Sequence, residues 1–502
     1  MVQGTASSVG KSIIATALCR IFRQDGFRVA PFKAQNMALN SFVTADGGEI
    51  GRSQVVQAEA AGIEPNVDMN PVLLKPEADS RCQVIVLGRV ARTISAGDYY
   101  QHTPGLLETI NGALDRLRDK NDIVVIEGAG SPAEINLMER EIVNMRIARL
   151  AQSPVLLVGD IDRGGVFASI IGTLELLGKR ERDYVKGLII NKFRGDLNLL
   201  KPGLEFLEKR TARPVLGVLP YWRDISIAQE DSVYLDEPAK EVASSDLDIA
   251  VIRLPHIANY DDFDPLAAEG CRVRYVTRPR EVGHPHLIVL PGTKSTVSDL
   301  RYLRESGLAS EVLRQAKSAT PIIGICGGYQ MLGRTILDPH GVESASPEFS
   351  GLGLLDAVTT FVPEKSTSQV RAQVCADHGL LEGLKGQEIT AYEIHMGQTV
   401  VGDNPAAFHI QSTPLGEADY HDGTLNAQGT VLGSYLHGLF HNPAFRQGIL
   451  ANLRRYWGLP PGEPNAPAEK EEHYDRLADM VRQNLNIATL YQIIESGIPG
   501  IR

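Results

Sequence analysis

Two patterns of apolar and polar positions alternate along the first half of the chain. Short apolar runs, typical of strands buried on both faces, are separated by longer amphipathic stretches that predict helices. Such an alternation is typical of a mostly parallel sheet whose strands are joined by helices. The predicted strands are Arg28–Phe32, Asp122–Ile126, Pro154–Val158, Val185–Ile190 and Pro214–Val218, and the clearest predicted helices are Ser12–Gln24 and Gly105–Lys120.

The same pattern starts again after a polar stretch without apolar periodicity. This stretch, residues 236–247, is interpreted as an interdomain linker. A first α/β domain over 1–235 and a second over 248–458 are therefore predicted. A proline-rich segment then leads into a tail, 459–502, with helical spacing of its apolar residues. The predicted strands of the second domain are Asp248–Ile252, His286–Leu290, Pro321–Ile325 and Thr430–Tyr435.

Composition narrows the class of protein. The chain has 502 residues and a net charge of −11, so it lacks the basic surplus of a general nucleic-acid-binding protein. No apolar run is long enough to span a bilayer, and no signal region opens the sequence. The five cysteines are scattered and lack metal-type spacing, which predicts reduced thiols in a cytoplasmic protein.

A glycine- and serine-rich loop opens the chain between a short strand and an amphipathic helix. Its sequence, Gly4-Thr-Ala-Ser-Ser-Val-Gly-Lys-Ser12, is a phosphate-binding loop with one residue more than the standard spacing. Backbone N–H groups at a helix N-terminus are expected to bind the phosphates of ATP. Lys11 is expected to reach the outer phosphates, and the Ser12 hydroxyl to bind Mg²⁺. The residues expected to contact the nucleotide here are Gly4, Thr5, Val9, Gly10, Lys11 and Ser12.

Acidic residues near such a loop are candidates for binding the metal. Glu127 ends an apolar strand and is followed by glycines, which is where a metal–phosphate group would lie. Asp46 and Glu49 are further candidates, although Glu49 also fits an acid at a helix start. Asn191 follows another strand and is a candidate for reading adenine, with an ordinary turn asparagine as the alternative.

Cys326 lies in Gly-Ile-Cys-Gly-Gly, directly after the strand Pro321–Ile325. This is the cysteine form of a nucleophile elbow, in which a sharp turn between strand and helix presents the side chain at the edge of a sheet. The following helix N-terminus favours a thiolate. The alternative is a small buried cysteine beside a glycine-rich turn.

A nucleophilic thiol requires a base and a site for the developing oxyanion. His437, just after the strand Thr430–Tyr435, is the predicted base, and His395 is a competing candidate. The backbone N–H groups of Gly292 and Gly327 are candidates for an oxyanion hole, although Gly292 also fits an ordinary Pro-Gly turn.

These motifs resemble known families. Gly324–Gln330 with Ser434–Gly438 resembles class I glutamine amidotransferases, and the opening loop with Glu127–Gly130 resembles dethiobiotin synthetase-like ATPases. Fused in this order, the two resemble the cobyrinate-amidating synthases, over essentially the whole chain except the tail. Further matching strings are Lys33–Asn40, Met69–Pro76, Gly159–Phe167 and Tyr392–Gly397.

The resemblance implies a function. Cys326 would release ammonia from glutamine, and the first domain would use ATP and Mg²⁺ to activate carboxylates of a corrinoid as acyl phosphates. The implied substrate is adenosylcobyrinate a,c-diamide, amidated at its b, d, e and g carboxylates. Lys33 would lie near the transferred phosphate and Glu49 on the metal, with Asp160 and Asp162 lining the site.

Three alternatives remain. Two are enzymes of the same type, a cobyrinate a,c-diamide synthase and a cell-wall glutamate amidating synthase. The third is a P-loop switch with an inactive amidotransferase domain. Gln3, where such switches often carry a lysine, and the intact Cys326/His437 pair argue against the third.

One position departs from the class I pattern. Many class I amidotransferases carry an acid two residues after the histidine, and here that residue is Leu439. The cobyrinate-amidating synthases are similar in lacking this acid, and what orients the imidazole of His437 stays open. Without an orienting carboxylate the thiolate–imidazolium pair is less favoured, so a modest glutaminase that depends on the synthetase domain is expected.

Overall fold

The computed structural model describes residues 1–77, 81–95, 99–138, 140–222, 247–462 and 470–498. Of the predicted linker 236–247, all but Leu247 falls outside these ranges. Within them, no helix is both long and apolar enough to cross a membrane.

The first part of the chain folds around parallel strands. Its strands are β1 (Val2–Gly4), β2 (Val29–Phe32), β3 (Gln35–Met37), β4 (Ser41–Val43), β5 (Glu49–Gly51), β6 (Val72–Pro76), β7 (Arg81–Val86), β8 (Arg89–Ser95), β9 (Ile123–Ile126), β10 (Val155–Asp160), β11 (Val185–Phe193) and β12 (Val215–Pro220). Its helices are α1 (Lys11–Gln24), α2 (Arg52–Ala61), α3 (Tyr99–Lys120), α4 (Met145–Ala151), α5 (Val166–Leu176), α6 (Lys179–Arg182) and α7 (Leu197–Thr211).

The central layer consists of the parallel sheet β1-β10-β11-β12 and the parallel pair β2-β9. A bridge between Val2 and Glu127 joins the two. The apolar runs are buried against helices on both sides, as parallel sheets require. All carboxyl ends lie at one edge, so the loop after β1, Glu127 after β9 and Asn191 in β11 lie at the same edge.

The second part contains a sheet of eleven strands. Its strands are β13 (Asp248–Ile252), β14 (Arg272–Val276), β15 (Leu287–Leu290), β16 (Ile322–Ile325), β17 (Thr335–Leu337), β18 (Glu348–Ser350), β19 (Ala357–Val374), β20 (Glu388–Val401), β21 (Ala406–Thr413), β22 (Gly416–Leu425) and β23 (Val431–Ser434). Its helices are α8 (Asp264–Ala268), α9 (Pro279–Val282), α10 (Thr296–Glu305), α11 (Leu308–Lys317), α12 (Gly327–Leu332) and α13 (Pro443–Trp457).

The strands β14-β13-β15-β16-β23 of this sheet are parallel, and the long antiparallel strands β19 to β22 extend it. The apolar pattern predicted four of these five parallel strands and missed β14, whose apolar run is broken by Arg272 and Arg274. It missed β19 to β22, because polar residues on their exposed faces interrupt the apolar runs.

The tail forms two helices, α14 (Lys470–Asn484) and α15 (Ile487–Ser496), and it returns to the first domain. Tyr474, Leu477 and Val481 are buried in one cluster with apolar residues of α1. Arg20 of α1 pairs with Glu471 at 2.6 Å and with Asp475 at 2.7 Å. The tail therefore supports the helix that starts at Lys11, the lysine of the phosphate loop.

We expect Leu477→Ala to lower the free energy of unfolding by about 2–5 kcal/mol, because it leaves a cavity in this shared core. The measurement is urea unfolding followed by circular dichroism. The control is Arg476→Ala, at the exposed neighbouring position, which should cost no more than about 0.5 kcal/mol. Equal stability of the two variants would contradict a structural role for the tail.

Candidate active sites

Cys326 lies between β16 and α12 with φ of 52° and ψ of −109°. A non-glycine residue in this region of backbone space is strained, which is typical of a nucleophile held in a sharp turn. The glycines after it allow a close approach: a Cβ on Gly328 would lie 1.9 Å from the carbonyl oxygen of Leu290, and one on Gly327 2.5 Å from Thr293 Cγ2. The turn therefore excludes larger residues at both positions.

The structure places His437, the predicted base, beside the thiol. It follows β23, which pairs in parallel with β16, so the residues after both strands lie at the same edge of the sheet. Its side chain is buried and is hydrogen-bonded to Cys326. The thiol also contacts the carbonyl oxygen of Ile394 at 3.5 Å.

A carboxylate orients this histidine, and it comes from far away in the sequence. Asp262 Oδ2 lies 2.6 Å from His437 Nδ1, and Oδ1 accepts a hydrogen bond from the N–H of Gly438 at 2.8 Å. Asp262 lies in a 3₁₀ turn, Tyr260–Phe263, after β13. The sequence left open what orients His437, and the structure shows a carboxylate in that place: Leu439 is buried in the core, and Asp262 lies where it can take the role of an acid at that position.

The environment of His437 favours its charged form. Burial opposes protonation of the imidazole, but the charge and hydrogen bond of Asp262, with the hydrogen bond to Cys326, raise the pKa of His437 to about 10. An imidazolium beside a thiol stabilises the thiolate, which is the nucleophilic form. The carboxylate whose absence would weaken the thiolate–imidazolium pair is therefore present.

Tyr392 covers the face of the histidine. The two rings are stacked with centroids 5.3 Å apart and an interplanar angle of 17°. The backbones of the two residues also exchange hydrogen bonds, at 2.9 and 3.1 Å. His437 is thus held in the plane of its ring by Asp262 and across it by Tyr392.

His395, the competing base, has other partners. Its ring is stacked on Tyr435 at 3.8 Å, and its Nδ1 lies 2.8 Å from the carbonyl oxygen of Gly397. Burial lowers the pKa of His395 to about 4, so the imidazole is neutral at neutral pH. The geometry favours His437 as the base.

The two candidate oxyanion donors border the cysteine–histidine pair. A Cβ on Gly292 would lie 2.9 Å from Cε1 of His437. Gly327 is the first residue of α12, where a backbone N–H has no acceptor within the helix. Both glycines border the pair, and the oxyanion role of their amides stays a prediction.

The phosphate loop contacts Glu127, its predicted acidic partner. Ser12 Oγ donates to Glu127 Oε1 at 2.8 Å, and Lys33 Nζ donates to the same oxygen at 3.1 Å. Gln57 Nε2 donates to Glu127 Oε2 at 2.5 Å. Burial would raise the pKa of Glu127, but Lys33 and these hydrogen bonds, with the charge of Lys11, hold it below its ordinary value. Glu127 is therefore ionised at neutral pH.

Other residues at this edge support the loop itself. Asn191 Nδ2 donates to the carbonyl oxygen of Val9 at 2.8 Å, and Lys11 Nζ donates to the carbonyl oxygens of Ala6 and Gly130. Lys192 was not predicted from the sequence. Its ammonium donates to the carbonyl oxygen of Ser8 at 2.7 Å and to Asp160 at 2.9 Å.

Ser12 and Glu127 offer the oxygen ligands that Mg²⁺ prefers, and they fit a metal whose other ligands are phosphate oxygens and water. Glu49 and Asp46, the other two predicted metal ligands, have different partners. Glu49 is paired with Lys75 at 2.7 Å and with Lys365 of the second domain, and Asp46 is hydrogen-bonded to Thr44. The described residues include no cluster of three or more acids, histidines or cysteines suited to a metal.

Fold and sites together define a glutamine amidotransferase fused to a P-loop nucleotide-binding domain. Residues 1–233 match the CobQ/CobB/MinD/ParA nucleotide binding domain, and residues 248–445 match the CobB/CobQ-like glutamine amidotransferase domain. The predicted fold class is thus confirmed.

Full-length relatives narrow the class to one family. The chain is 61% identical over 498 residues to the cobyric acid synthase of Dehalococcoides mccartyi strain CBDB1, covering 99% of each chain. It is 54% identical to that of Sorangium cellulosum, covering 98% of each, and 53% identical to that of Pelotomaculum thermopropionicum, covering 100% of this chain and 97% of the relative. The chain belongs to the cobyric acid synthase family, and it is a glutamine-dependent ligase of cobalamin biosynthesis.

The orientation of His437 leads to a test. Asp262→Asn keeps the shape of the side chain but allows the wrong tautomer of the imidazole, so we expect the kcat of glutamine hydrolysis to fall by about 10²- to 10⁴-fold. Glutamate release measures this directly. Asp403→Asn, which changes an exposed acid between β20 and β21 of the same domain, is the control and should leave glutamate release unchanged. Full activity of Asp262→Asn would contradict the assigned role.

Proposed function

We propose that this enzyme converts adenosylcobyrinate a,c-diamide to adenosylcobyric acid. It would amidate the b, d, e and g carboxylates, with glutamine as the nitrogen donor and ATP as the energy source. The observation that carries the proposal is one folded chain with both half-sites: Cys326 with His437 and Asp262, and the phosphate loop with Glu127. Membership of the cobyric acid synthase family supports the corrinoid substrate. The free cysteines support a cytoplasmic location.

In the second domain, His437 takes the proton of the Cys326 thiol, and the thiolate attacks the side-chain amide carbon of glutamine. The amides of Gly292 and Gly327 stabilise the oxyanion of the tetrahedral intermediate. His437 then returns the proton to the departing nitrogen, and ammonia leaves a thioester on Cys326. Water, deprotonated by His437, hydrolyses the thioester to glutamate and restores the thiol. Asp262 keeps the imidazole oriented through both proton transfers.

In the first domain, the loop amides and the Lys11 ammonium bind the phosphates of ATP. Ser12 and Glu127 would hold Mg²⁺, which supplies positive charge to the phosphate oxygens when bound. The Lys33 ammonium, buried beside Glu127, adds positive charge near the transferred phosphoryl group. A corrinoid carboxylate attacks this phosphoryl group, and ADP leaves an acyl phosphate. Ammonia then attacks the acyl carbon, and loss of phosphate and a proton gives the amide.

If ammonia release and amidation take place at two sites, a variant can lose the first and keep the second. Comparing glutamine with added ammonium as the nitrogen source then distinguishes the two sites. Cys326→Ala should abolish glutamine-driven amidation but leave amidation from added ammonium, because only ammonia release needs the thiol. The control is Cys375→Ala, a half-buried cysteine of the same domain, which should retain both activities. Loss of ammonium-driven amidation in Cys326→Ala would contradict the division.

Lys11→Ala should remove amidation from both nitrogen sources, because carboxylate activation requires the bound phosphates. Lys120→Ala, an exposed lysine at the end of α3, is the control. Retained ammonium-driven turnover would exclude Lys11 from the ATP site.

The substrate itself is tested by mass spectrometry of the corrinoid after incubation with ATP and glutamine. We expect a ladder of successive shifts, each corresponding to one hydroxyl replaced by an amino group, that ends at four. Amidation of cobyrinate at the a and c positions would indicate the diamide synthase instead. An unmodified corrinoid would indicate the cell-wall enzyme or the P-loop switch.

A further inference from the structure

Four consecutive residues, Asn259 to Asp262, connect the base of the glutaminase to the first domain. Asp262 at one end holds His437. Asp261 faces the other way and lies 3.0 Å from Nε of Arg52, the first residue of α2. Asn259 Oδ1 accepts a hydrogen bond from the N–H of Ser41 at 3.3 Å. The turn that carries the orienting carboxylate is thus fastened by its neighbours to the nucleotide-binding domain.

Tyr392, the second support of His437, contacts the same surface of the first domain. The hydroxyl of Tyr392, which is stacked on His437, accepts from Asn259 Nδ2 at 2.9 Å and donates to the carbonyl oxygen of Ser41 at 3.4 Å. Phe42 packs edge-on against Tyr392 with ring centroids 5.1 Å apart. The guanidinium of Arg52 lies 5.2 Å from the centroid of the Phe42 ring. Arg52 therefore contacts both supports of His437, through Asp261 on one side and through Phe42 on the other.

The Arg52–Asp261 contact is buried, with 5% and 2% of the two side chains exposed. It is an ion pair rather than an aligned hydrogen bond, and Asp261 Oδ1 has no hydrogen-bond partner among the described residues. Burial opposes the charge of Arg52, but Asp261, with Glu59, raises the pKa of Arg52 above its ordinary value. Removing Arg52 would leave the carboxylate of Asp261 buried without its counter-ion, which is costly. Moving Asp261 toward water would displace its neighbour Asp262.

We propose that Arg52, a residue of the nucleotide-binding domain, is a positioning residue of the glutaminase centre. It acts through Asp261 and Phe42 on the two supports of His437, so the base is correctly placed only when the two domains are docked. The inference rests on the proposed function, because it assumes that His437 is the base of glutamine hydrolysis.

The test uses full-length Arg52→Ala with kcat and KM for glutamine hydrolysis measured separately. A displacement of the base on the order of 1 Å predicts a fall in kcat of about 10- to 100-fold. The KM for glutamine should change by less than about 3-fold, since Arg52 acts on the base rather than on substrate binding. Arg52→Lys, which keeps a single positive charge facing Asp261, should restore most of the kcat.

Ammonium-driven amidation of the corrinoid is the internal control. It is needed because α2 also carries Gln57, which contacts Glu127 beside the phosphate loop. We expect this activity to be kept in Arg52→Ala. A parallel loss of the ammonium-driven and glutamine-driven activities would overturn the proposal, because it would indicate a general effect on the first domain.

The matched control variant is Glu77→Gln. It removes a different ion pair across the same interface, Glu77–Lys294 at 2.7 Å, which does not touch the turn at 259–262. Its kcat for glutamine hydrolysis should stay close to that of the wild type. An equal fall of kcat in Glu77→Gln and Arg52→Ala would overturn the proposal, because it would indicate weakened docking of the two domains in general. An unchanged kcat in Arg52→Ala would overturn it too.

Asp261→Asn should reproduce the effect of Arg52→Ala, and the double variant should be no worse than either single one if the two residues act as a unit. Additive losses would overturn the inferred route through Asp261. If the wild type hydrolyses glutamine but amidates no corrinoid, the proposed function fails while the role of Arg52 still stands.

Discussion

The hydrogen bond between Asp262 and His437 is the contact on which the chemistry of the second domain depends. It selects the tautomer of the imidazole, outweighs the cost of burying its charge and places the ring beside Cys326. An acid two residues after the histidine would supply such a carboxylate from the strand end that carries the histidine. Here the strand end has Leu439 in the core, and a turn after β13 reaches across to provide the carboxylate.

The position of this turn links the two halves of the enzyme. Its outer side meets the first domain through Arg52 and Ser41. A second buried ionic contact lies nearby, where Lys365 of the amidotransferase domain approaches Glu49 and Lys75. Burying several charges between domains is expensive unless they are paired, so this interface is held to one geometry. The proposed role of Arg52 would make the release of ammonia depend on this docking.

The phosphate site is supported from outside its own domain as well. The helix that begins at Lys11 packs against the C-terminal helices, with Arg20 paired to Glu471 and Asp475. The chain therefore crosses from the first domain to the second and returns. Both active sites are built on parallel sheet edges, but each depends on residues that the chain supplies from another region.

The sequence by itself determined the parts of the enzyme whose signal is local. The apolar runs placed the parallel strands other than β14, and the motifs placed Cys326, His437, the phosphate loop and Glu127, because a strand followed by glycines has few geometries to adopt. Only the tertiary structure decided what lies beside them. Asp262 is one of three acids within four residues, and nothing in the local sequence marks the one that faces the histidine. Glu49 satisfied the local pattern of a metal ligand, yet packing against Lys75 and Lys365 places it in an ion-pair cluster. Such pairings join residues far apart in the chain, and their geometry is set by how two domains fit together rather than by the spacing of residues.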